Sequence, residues 1–511
     1  MRLLTREQAR ELDSLTMDEL EISGQILMGN AGKQVASTAK TMVGEIHEPR
    51  ILIICGKGNN GGDGFAAAAE LFAADGFRVI IHSLPGEQDI TGDALYYYRQ
   101  CADLNIPISY GYDIPELEEA DLIMDALLGT GFHGPMKADL IPWVEWINSA
   151  KTRVLAVDIS SGLDSNSGLV QPGAVKADTT VTMGAPKVGM VFRQGKVYTG
   201  ACVTADIGFP KLDDITLSGL DWELFHESAA IEFLRKPEAD THKYQQGKVL
   251  VIAGSTGMTG AAVLATMGAL RSGSGLTITT VPESLNAVFE ADIIEGMTLA
   301  LPDHNSGCLQ AENLDDILDK STWADAVVLG PGLGRNKGTQ LLVRELVRRV
   351  TTPMVLDADG LFPFARNMAE LNQRQYPLVI TPHIGELASL TAINKEDIKN
   401  DFPNVITEVM ADFHHIALVK QVPVCIFSGQ RALVNCSGNP GLSTAGTGDV
   451  LSGMIGSFLA GGLEPELAAA LGAFIHGKSS DQLVVKMGYR GQIASDLLPM
   501  IPHVLANYEH L

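Results

Sequence analysis

The sequence predicts an α/β protein with two doubly wound domains, in each of which helices cover both faces of a mostly parallel sheet. Short apolar runs recur along both halves of the chain, as is typical of strands that are buried on both faces. Glycine-rich or polar loops follow these runs, and helical patterns follow the loops. At 511 residues, the chain is also too long for one ordinary hydrophobic core.

The apolar α/β pattern is interrupted once, near the middle of the chain. It fades in residues 211–241, which are mixed and acidic in composition, and then resumes. Domain boundaries commonly fall in such polar segments. We therefore predict a first domain at 1–215, a linker region at 216–240 and a second domain at 241–511.

Composition and charge argue against several classes of protein. The 61 acidic side chains outnumber the 37 basic ones and give a net charge of −24, which argues against binding to nucleic-acid backbones or anionic membranes. The six cysteines are scattered, with no pair spaced for zinc or a disulfide framework, so we expect the reducing cytoplasm. The N-terminus lacks a signal-peptide pattern, and no apolar stretch reaches the ~18 residues of a membrane helix.

The first half opens with a helix and then shows a strand, a glycine loop and a second helix pattern. A capping box at Thr5 starts the opening helix. The apolar run 50–55 predicts a buried strand, the glycine loop covers 56–64, and an Ala-rich helix follows at 65–74. This order can place backbone N–H groups on a phosphate. The glycine spacing differs from the NAD fingerprint, so an ordinary redox site is not indicated.

Two further predicted strands, 121–128 and 154–159, also end in polar loops. Ligands bind outside the carboxyl ends of parallel strands, so we expect these loops to converge with the glycine loop. Four polar residues would then share one pocket: Asn59, Asp125, Asp158 and Ser161. Oxygen ligands without Cys or His suit a hard cation. Hydrogen bonding to loop amides is the alternative for the two aspartates, and a solvated surface group is the alternative for Lys187, which follows a strand-like run at 179–183.

The second half repeats this order of strands and loops. Strands are predicted at 247–253, 276–281, 325–329, 353–356, 378–381, 416–420 and 424–427. A later glycine turn, ending at Gly448, leads into a helix with Asp449 in its first turn. Free N–H groups there form an anion site, and the carboxylate can accept a proton from an attacking hydroxyl, which together suit phosphoryl transfer. An N-capped core helix with a favourably placed Asp449 is the equally simple alternative.

The ordered set of motifs resembles one family, the bifunctional NAD(P)H-hydrate repair enzymes, over nearly the whole chain. In the first half, LMGNAG, GKGNNGGDG, DALLGTGFHG, VDISSGLD and APKVG resemble the NAD(P)H-hydrate epimerase domain. In the second half, HKYQQGKVLVIAGS, GPGLG, DADGL, TPHIGE and NPGLSTAGTGDVLSG resemble the ADP-dependent dehydratase. The resemblance implies a Rossmann-like first domain and a ribokinase-like second domain.

The resemblance also implies a repair reaction on the hydrated nucleotides NADHX and NADPHX. Water adds across a ring double bond of NADH or NADPH and gives R and S hydrates at C6. The first domain of the family interconverts these hydrates, and the second dehydrates the S form while ADP becomes AMP and phosphate. The implied cofactors are K⁺ in the epimerase domain, and ADP as co-substrate with Mg²⁺ in the dehydratase domain.

In the first domain, the resemblance assigns hydrate binding mainly to two loops and to one aspartate. The implied binding residues are Gly58, Asn59, Asn60, Gly61, Gly62, Gly129, Thr130, Gly131, Phe132, His133, Gly134, Pro135 and Asp158. The residues that resemble potassium ligands are Asn59, Asp125 and Ser161. Asp158 and Lys187 are the implied acid–base residues of epimerisation.

In the second domain, the resemblance implies that Asp449 deprotonates the C6 hydroxyl, which attacks the β-phosphoryl group of ADP. The implied hydrate-binding residues are Ala262, Gly332, Gly334, His383 and Asp449. The implied nucleotide-binding residues are Lys420, Gln421, Val422, Pro423, Val424, Gly446, Thr447 and Gly448, and the Gly446 and Gly448 amides would stabilise the transferring phosphoryl group. Relatives commonly carry Lys-Gly-x-x-Thr at the Lys420 segment. In this chain the glycine and the threonine hydroxyl of that pattern are missing.

Two other functions fit parts of the pattern. A small-molecule kinase with an N-terminal nucleotide-binding module would use the same Asp449 and anion site but would release a stable phosphorylated product. A first half that only senses or binds nicotinamide nucleotides would need no acid–base pair. We expect small-molecule substrates and a homo-oligomer, without nucleic-acid or membrane partners.

Overall fold

The computed structural model describes residues 1–74, 76–115, 119–170, 172–234 and 236–509. It divides into two compact units, which are Arg2–Trp222 and Glu223–Leu511 together with Met1. The division falls inside the segment 216–240 that we interpreted as a linker. Each unit is described by itself below.

The first unit alternates strands and helices along most of its length. Its elements are β1 (Arg2–Leu3), α1 (Arg6–Glu19), α2 (Gly24–Val43), β2 (Arg50–Cys55), α3 (Asn59–Phe72), β3 (Arg78–Ser83), α4 (Gly92–Asp103), β4 (Ile108–Tyr110), β5 (Leu122–Ala126), α5 (Ile141–Ser149), β6 (Arg153–Val157), β7 (Thr179–Met183), α6 (Val188–Val191), α7 (Gly195–Thr199) and β8 (Ala201–Ala205). The strand β9 (Asp221–Leu224) spans the division between the units.

A seven-stranded parallel sheet forms the centre of the first unit. Its strand order is β4-β3-β2-β5-β6-β7-β8, and all neighbouring strands are parallel. The order in which the chain adds strands reverses between β2 and β5. Ile51 and Ile53 pack with α2, α3 and α4 on one face, whereas Leu52 and Ile54 pack with α5 on the other. Both faces of the sheet are therefore covered, which confirms the doubly wound prediction.

The second unit repeats this alternation. Its elements are α8 (Glu227–Phe233), β10 (Lys248–Ile252), α9 (Thr259–Arg271), β11 (Leu276–Pro282), α10 (Asn286–Asp292), β12 (Met297–Leu301), α11 (Leu314–Ser321), β13 (Ala326–Leu329), α12 (Lys337–Arg349), β14 (Met354–Leu356), β15 (Leu378–Ile380), α13 (Ile384–Thr391), α14 (Lys395–Asn400), α15 (Phe402–Met410), β16 (Ile416–Val419), β17 (Val424–Ser428), β18 (Arg431–Asn435), α16 (Thr447–Ala460), α17 (Pro465–Met487) and α18 (Ala494–Leu505).

The sheet of the second unit is parallel except at one edge. Its strands lie in the order β18-β17-β16-β15-β14-β13-β10-β11-β12, and only the pairs β16–β17 and β17–β18 are antiparallel. Val249 and Val251 pack with α9, α16, α17 and α18, while Leu250 and Ile252 are fully buried on the opposite face. This unit is also doubly wound, as predicted.

Two parts of the sequence interpretation differ from the structure. The glycine loop predicted at 56–64 is short, because α3 already begins at Asn59 instead of at Phe65. Gly61 and Gly62 allow this, since a Cβ at Gly61 would collide with the Gly56 carbonyl group and one at Gly62 would lie 2.6 Å from the Met28 side chain. The presumed linker 216–240 contains β9 and α8, so part of it is regular structure.

None of the helices in the described ranges combines the length and the apolar composition needed to cross a bilayer.

Candidate active sites

A cavity of about 710 Å³ opens in the first unit, beside α1, the start of α3 and the loop after β5. Most of the hydrate-binding residues predicted for this domain border it. They are Gly58, Asn59, Asn60, Gly129, Thr130, Gly131, Phe132, His133, Pro135 and Asp158, together with Lys187. The carboxyl ends of β2, β5 and β6 therefore converge on one cavity, as expected for this type of sheet.

Five of the predicted residues lie outside the cavity wall. Gly61 and Gly62 pack within the unit at the first turns of α3, and Gly134 is also absent from the wall. Asp125 and Ser161 lie behind the wall: Ser161 Oγ donates to Asp125 Oδ1 at 2.6 Å and accepts from the Leu128 amide at 2.8 Å. Leu128 itself borders the cavity, so this pair supports the wall from within.

Asp125 is a completely buried carboxylate at the end of β5. Its hydrogen-bond donors are the Ser161 hydroxyl, the Ser161 amide at 2.8 Å and the Leu127 amide at 3.3 Å. Burial raises its pKa to about 6, although these donors act in the opposite direction. In the described part of the chain no basic side chain forms an ion pair with it. The structure thus brings Asp125 and Ser161 together, whereas Asn59 lies on the cavity side.

Asp158 and Lys187 form a buried ion pair beside the cavity. Asp158 follows β6 in the left-handed backbone region, with φ of +62°, and accepts from the Met183 amide at 3.0 Å. Lys187 Nζ donates to Asp158 Oδ1 at 2.5 Å, to Thr182 Oγ1 at 2.8 Å and to the Met183 carbonyl at 3.1 Å. The loop after β7 therefore returns Lys187 to the predicted pocket.

The sequence interpretation missed two further carboxyl groups at this cavity, Asp13 on α1 and Asp63 on α3. Burial and the charge of Asp158 raise the pKa of Asp13 to about 6. Burial raises the pKa of Asp63 well above its ordinary value, and the charges of Asp158 and Asp13 add to the effect. Asp63 belongs to the motif GKGNNGGDG, but no local signal in the sequence marks Asp13.

The second candidate site lies at the N-terminal end of α16, where Gly446 is the N-cap residue and Asp449 lies in the first turn. Burial raises the pKa of Asp449 to about 7, and the negative charges of Asp357 and other nearby carboxylates add to this, whereas the charge of Lys420 acts in the opposite direction. A carboxylate that titrates near neutral pH at an anion-binding helix end is suited to general-base catalysis.

Lys420, at the end of β16, links this helix to the neighbouring strand. Its Nζ donates to Asp357 Oδ1 at 2.7 Å, and Ser452 Oγ donates to Asp357 Oδ2 at 2.5 Å. Burial acts to lower the pKa of Lys420, but Asp357 and Glu386 outweigh it, so the pKa is raised. A Cβ at Gly448 would lie 3.3 Å from Lys420 Nζ, which places the ammonium group against the first turn of α16.

The other predicted residues of this domain follow neighbouring strands. After β13, the Gly332 carbonyl accepts from Ser255 and the Gly334 amide donates to Asp359 at 3.0 Å. After β15, His383 Nδ1 accepts from the Gly385 amide at 2.9 Å and from the Glu386 amide. The charges of Asp359 and Glu386 both raise the pKa of Asp449, so these loops belong to the electrostatic surroundings of its carboxylate.

The remaining predicted residues of this domain fall into three groups. Ala262 is completely buried on α9. Thr447 turns its hydroxyl toward the Leu442 and Thr444 carbonyl groups at 3.0 and 3.1 Å. Gln421, Val422 and Pro423 connect β16 to β17 as a hairpin loop, in which Val422 is 78% exposed, and Val424 starts β17.

Asp357, Asp359, Glu386, Ser452 and His476 are site residues that the sequence interpretation did not single out. The first four lie in the quoted motifs DADGL, TPHIGE and NPGLSTAGTGDVLSG, which offered a signal. His476 lies in the middle of α17. The only signal for it in the sequence is a single histidine within an apolar helical pattern. It is buried beside the Thr447 main chain, and burial lowers its pKa to about 4.

Comparison with known proteins agrees with the arrangement of two sites on two units. Residues 249–503 match the family described as NAD(P)H-hydrate dehydratase, and residues 24–189 match the family described as YjeF-related protein N-terminus. The bifunctional NAD(P)H-hydrate repair enzyme Nnr of Moorella thermoacetica is 36% identical over 520 aligned positions, covering 100% of this chain and 97% of that protein.

The chain belongs to the family of bifunctional NAD(P)H-hydrate repair enzymes.

A second repair enzyme of this family, from Salinibacter ruber, is 33% identical and covers 99% of this chain and 96% of its own length. Among solved structures, the ADP/ATP-dependent NAD(P)H-hydrate dehydratase of Bacillus subtilis, co-crystallised with ATP and Mg²⁺, is 24% identical. The match covers 57% of this chain and 100% of that chain, with a TM-score of 0.48.

Proposed function

We propose that this chain repairs NADHX and NADPHX in two steps. The first unit interconverts the R and S hydrates, and the second dehydrates the S hydrate to NADH or NADPH while ADP is converted to AMP and phosphate. Membership of the repair family supports both steps. The structural observation that carries the proposal is the position of Asp449, a carboxylate with a pKa of about 7 in the first turn of α16.

In the second unit, Asp449 accepts the proton of the C6 hydroxyl, whose oxygen attacks the β-phosphoryl group of ADP, and AMP leaves. The amides of Gly446 and Gly448 stabilise the charge on the phosphoryl group during transfer. Phosphate is a better leaving group than hydroxide. It then departs from C6 with the C6–O electron pair as the ring nitrogen contributes its lone pair, and loss of the C5 proton restores the double bond.

The ion pair of Lys420 with Asp357 completes this site. Since Ser452 and Lys420 both donate to Asp357, the Lys420 ammonium is held against the start of α16, where an anion would bind. A cation there strengthens the attraction for a diphosphate. The hairpin residues Gln421, Val422, Pro423 and Val424 continue from Lys420 and are our proposed nucleotide-binding segment.

Mg²⁺ is proposed to accompany the nucleotide in the second unit. No group of three or more Cys, His, Asp or Glu residues with metal-binding geometry occurs within the described ranges. This fits Mg²⁺, which is usually held by substrate phosphates, water and one or two carboxylates instead of an all-protein cage. Glu386 and Asp359, whose charges raise the pKa of Asp449, are the carboxylates that would hold it. When bound, Mg²⁺ would neutralise phosphate charge.

In the first unit, we propose that the hydrate occupies the cavity bordered by Asp158, and that K⁺ is bound by Asn59, Asp125 and Ser161. Asp125 fits a cation because it is a completely buried carboxylate whose pKa is raised by burial, so a bound positive charge would relieve its desolvation. Its ligand set of oxygen atoms also suits a hard ion. K⁺ would hold the loops after β5 and β6 in place.

A small-molecule kinase would use the same residues of the second unit, but it predicts a stable phosphorylated product. Family membership favours dehydration over that alternative. We also propose that the protein works in the cytoplasm, in keeping with the scattered spacing of its six cysteines, and forms a homo-oligomer. Its proposed partners are small molecules only.

The test uses pure S hydrate with ADP and follows the recovery of reduced-nicotinamide absorbance. We expect recovery with release of AMP and phosphate, at a rate that rises with pH through about 7 because Asp449 must lose its proton to act as a base. Asp449→Asn should abolish it. Pure R hydrate should give reduced nicotinamide only if the first unit is active. Asp158→Asn should therefore block the use of R hydrate and leave the use of S hydrate unchanged.

The two substitutions serve as controls for each other. Asp449→Asn should still convert R into S hydrate, and Asp158→Asn should still dehydrate S hydrate. A phosphorylated product that persists in place of recovered NADH would contradict the dehydratase function and move the second unit to the kinase alternative.

A further inference from the structure

Lys187 borders the cavity, but hydrogen bonds occupy its ammonium group completely. A lysine has three N–H donors, and the three acceptors here are Asp158, Thr182 and the Met183 carbonyl, all within 3.1 Å. The Lys187 side chain is only 2% exposed. An ammonium group held in this way fixes the position of the Asp158 carboxylate and is not free to exchange a proton with a substrate.

Two other carboxyl groups at the cavity are free of such contacts. Asp13 on α1 and Asp63 on α3 both border the cavity and both interact electrostatically with Asp158. In the described part of the chain, neither forms a hydrogen bond or an ion pair with another side chain. Asp13 is accessible to solvent at the cavity, although enough protein surrounds it to raise its pKa, whereas Asp63 is half-buried. Asp13 is therefore the more accessible of the two from the cavity.

We propose that Asp13 is the general acid of epimerisation and that Asp158 is its paired base, an inference that rests on the proposed epimerase function. Asp13 gives its proton to the C6 hydroxyl, the C6–O bond breaks, and water leaves as the ring-nitrogen lone pair forms an iminium. Water then adds to the other face of C6, and the electron pair returns to nitrogen. The proton that this water releases passes to Asp158. Solvent restores both carboxyl groups, and nothing is oxidised or reduced.

The charges around Asp13 suit this role. Burial and the charge of Asp158 raise the pKa of Asp13 to about 6, while Lys187 acts in the opposite direction. Burial raises the pKa of Asp63 well above its ordinary value, and the charges of Asp158 and Asp13 act in the same direction. The other charged or titratable groups that line the cavity among the described residues are Arg10, Lys57, Asp93, Tyr112, His133, Lys137 and Asp139. A group that titrates close to the working pH transfers protons most efficiently.

The test is the conversion of R into S hydrate by the full chain without ADP, so that dehydration does not occur, with chromatographic separation of the two hydrates. Asp13→Asn preserves the size of the side chain, and we expect it to slow epimerisation at least about a hundredfold. In the unmodified chain the rate should fall as the pH rises through about 6, because Asp13 then loses its proton. The residual rate of the variant should lack this fall.

Asp18→Asn is the matched control, because Asp18 is exposed on the same helix and does not border the cavity. It should keep both the rate and the pH profile of the unmodified chain. The assignment is overturned if Asp13→Asn stays within about threefold of the unmodified rate. It is also overturned if the fall near pH 6 disappears only in Asp63→Asn. No epimerisation by the unmodified chain would instead overturn the proposed epimerase function, and this inference with it.

Discussion

His476 is a buried histidine that makes stability depend on pH. It is 7% exposed on α17, and its Nε2 has no hydrogen-bond partner among the described residues. Burial, with help from the Lys420 charge, lowers its pKa from 6.5 to about 4. The unfolded chain therefore binds this proton near pH 6.5 and the folded chain only near pH 4. Its contribution to stability is present above pH 6.5 and is lost as the pH falls through this interval.

Between pH 7 and pH 4, protonation of His476 should lower the free energy of unfolding of the unmodified chain by about 3 kcal/mol. The variant His476→Gln cannot titrate, so its free energy of unfolding should fall by about 3 kcal/mol less over the same interval. Urea unfolding of the full chain at the two pH values measures this difference. The control is His503→Gln, at an exposed position on α18, which should follow the pH dependence of the unmodified chain. If the difference between His476→Gln and the unmodified chain were the same at both pH values, the histidine would not be the cause.

Single residues were the hardest part of the sites to foresee from sequence. The positions of Asp449 and Asp158 at the two candidate sites could be predicted, because Asp449 follows a glycine turn at the start of a helix and Asp158 lies at the end of a predicted strand. The complete burial of Lys187 could not, because it depends on three acceptors that tertiary packing assembles. Asp13 lies in an ordinary amphipathic helix, and only the packing of α1 beside the cavity makes it a candidate.

The start of α16 depends on a glycine at its N-cap. Gly446 has φ of +91°, and a Cβ there would lie 2.7 Å from Leu264 Cδ1 and 3.0 Å from Ala494 Cβ. Gly462, just beyond the C-terminal end of the same helix, has a similar φ of +88° but open space around it. The two positions therefore share backbone strain on substitution but differ in steric conflict.

We expect Gly462→Ala to lower the free energy of unfolding by about 1 kcal/mol and to leave the dehydratase rate unchanged. Gly446→Ala should cost about 2 kcal/mol or more, because overpacking adds to the strain. It should also slow dehydration, since the amides at the helix start would move. Thermal unfolding and recovery of NADH from S hydrate measure the two effects. Equal losses of stability with full activity in both variants would contradict this account.

Regular elements were predicted best where strands are buried on both faces. The predicted strands 50–55 and 179–183 agree with β2 and β7 at both ends. A nearly continuous apolar run marks the first, and β-branched threonine and valine residues mark the second. The sequence interpretation did not identify β8 or β18. β8 lies at a sheet edge and is largely exposed, so its polar and small residues carry no strong strand pattern.

At the scale of the whole molecule, the segment around the division between the units contributes to the core of each. In the first unit, the Gln8 side chain donates to the carbonyl groups of Ser218 and Leu220, and the Trp222 ring lies edge-on to Phe192 at 5.7 Å. Trp222 is 1% exposed. A first-domain fragment that ends at residue 215, our predicted boundary, would lose all of these contacts.

The second unit depends in the same way on the residues that precede β10. Ala230 on α8 is completely buried in the core, the Phe225 and Phe474 rings lie 5.6 Å apart, and Tyr508 donates to Glu227 at 2.7 Å. A fragment that starts at residue 236 lacks α8 and would expose the surface that it covers. Both units should therefore fold alone only when the segment is divided between Trp222 and Glu223.

We expect the fragments 1–222 and 223–511 to unfold cooperatively when each is expressed alone, because each holds a complete sheet with both faces covered. The fragment 1–215 should be less stable than 1–222 by about 3–5 kcal/mol, the usual cost of removing a buried tryptophan. The substitution Trp222→Ala in 1–222 should reproduce most of that loss, which separates the effect of the ring from that of chain length. If 1–215 and 1–222 melted at the same temperature, the boundary would lie before residue 216, and β9 would contribute nothing to the first core.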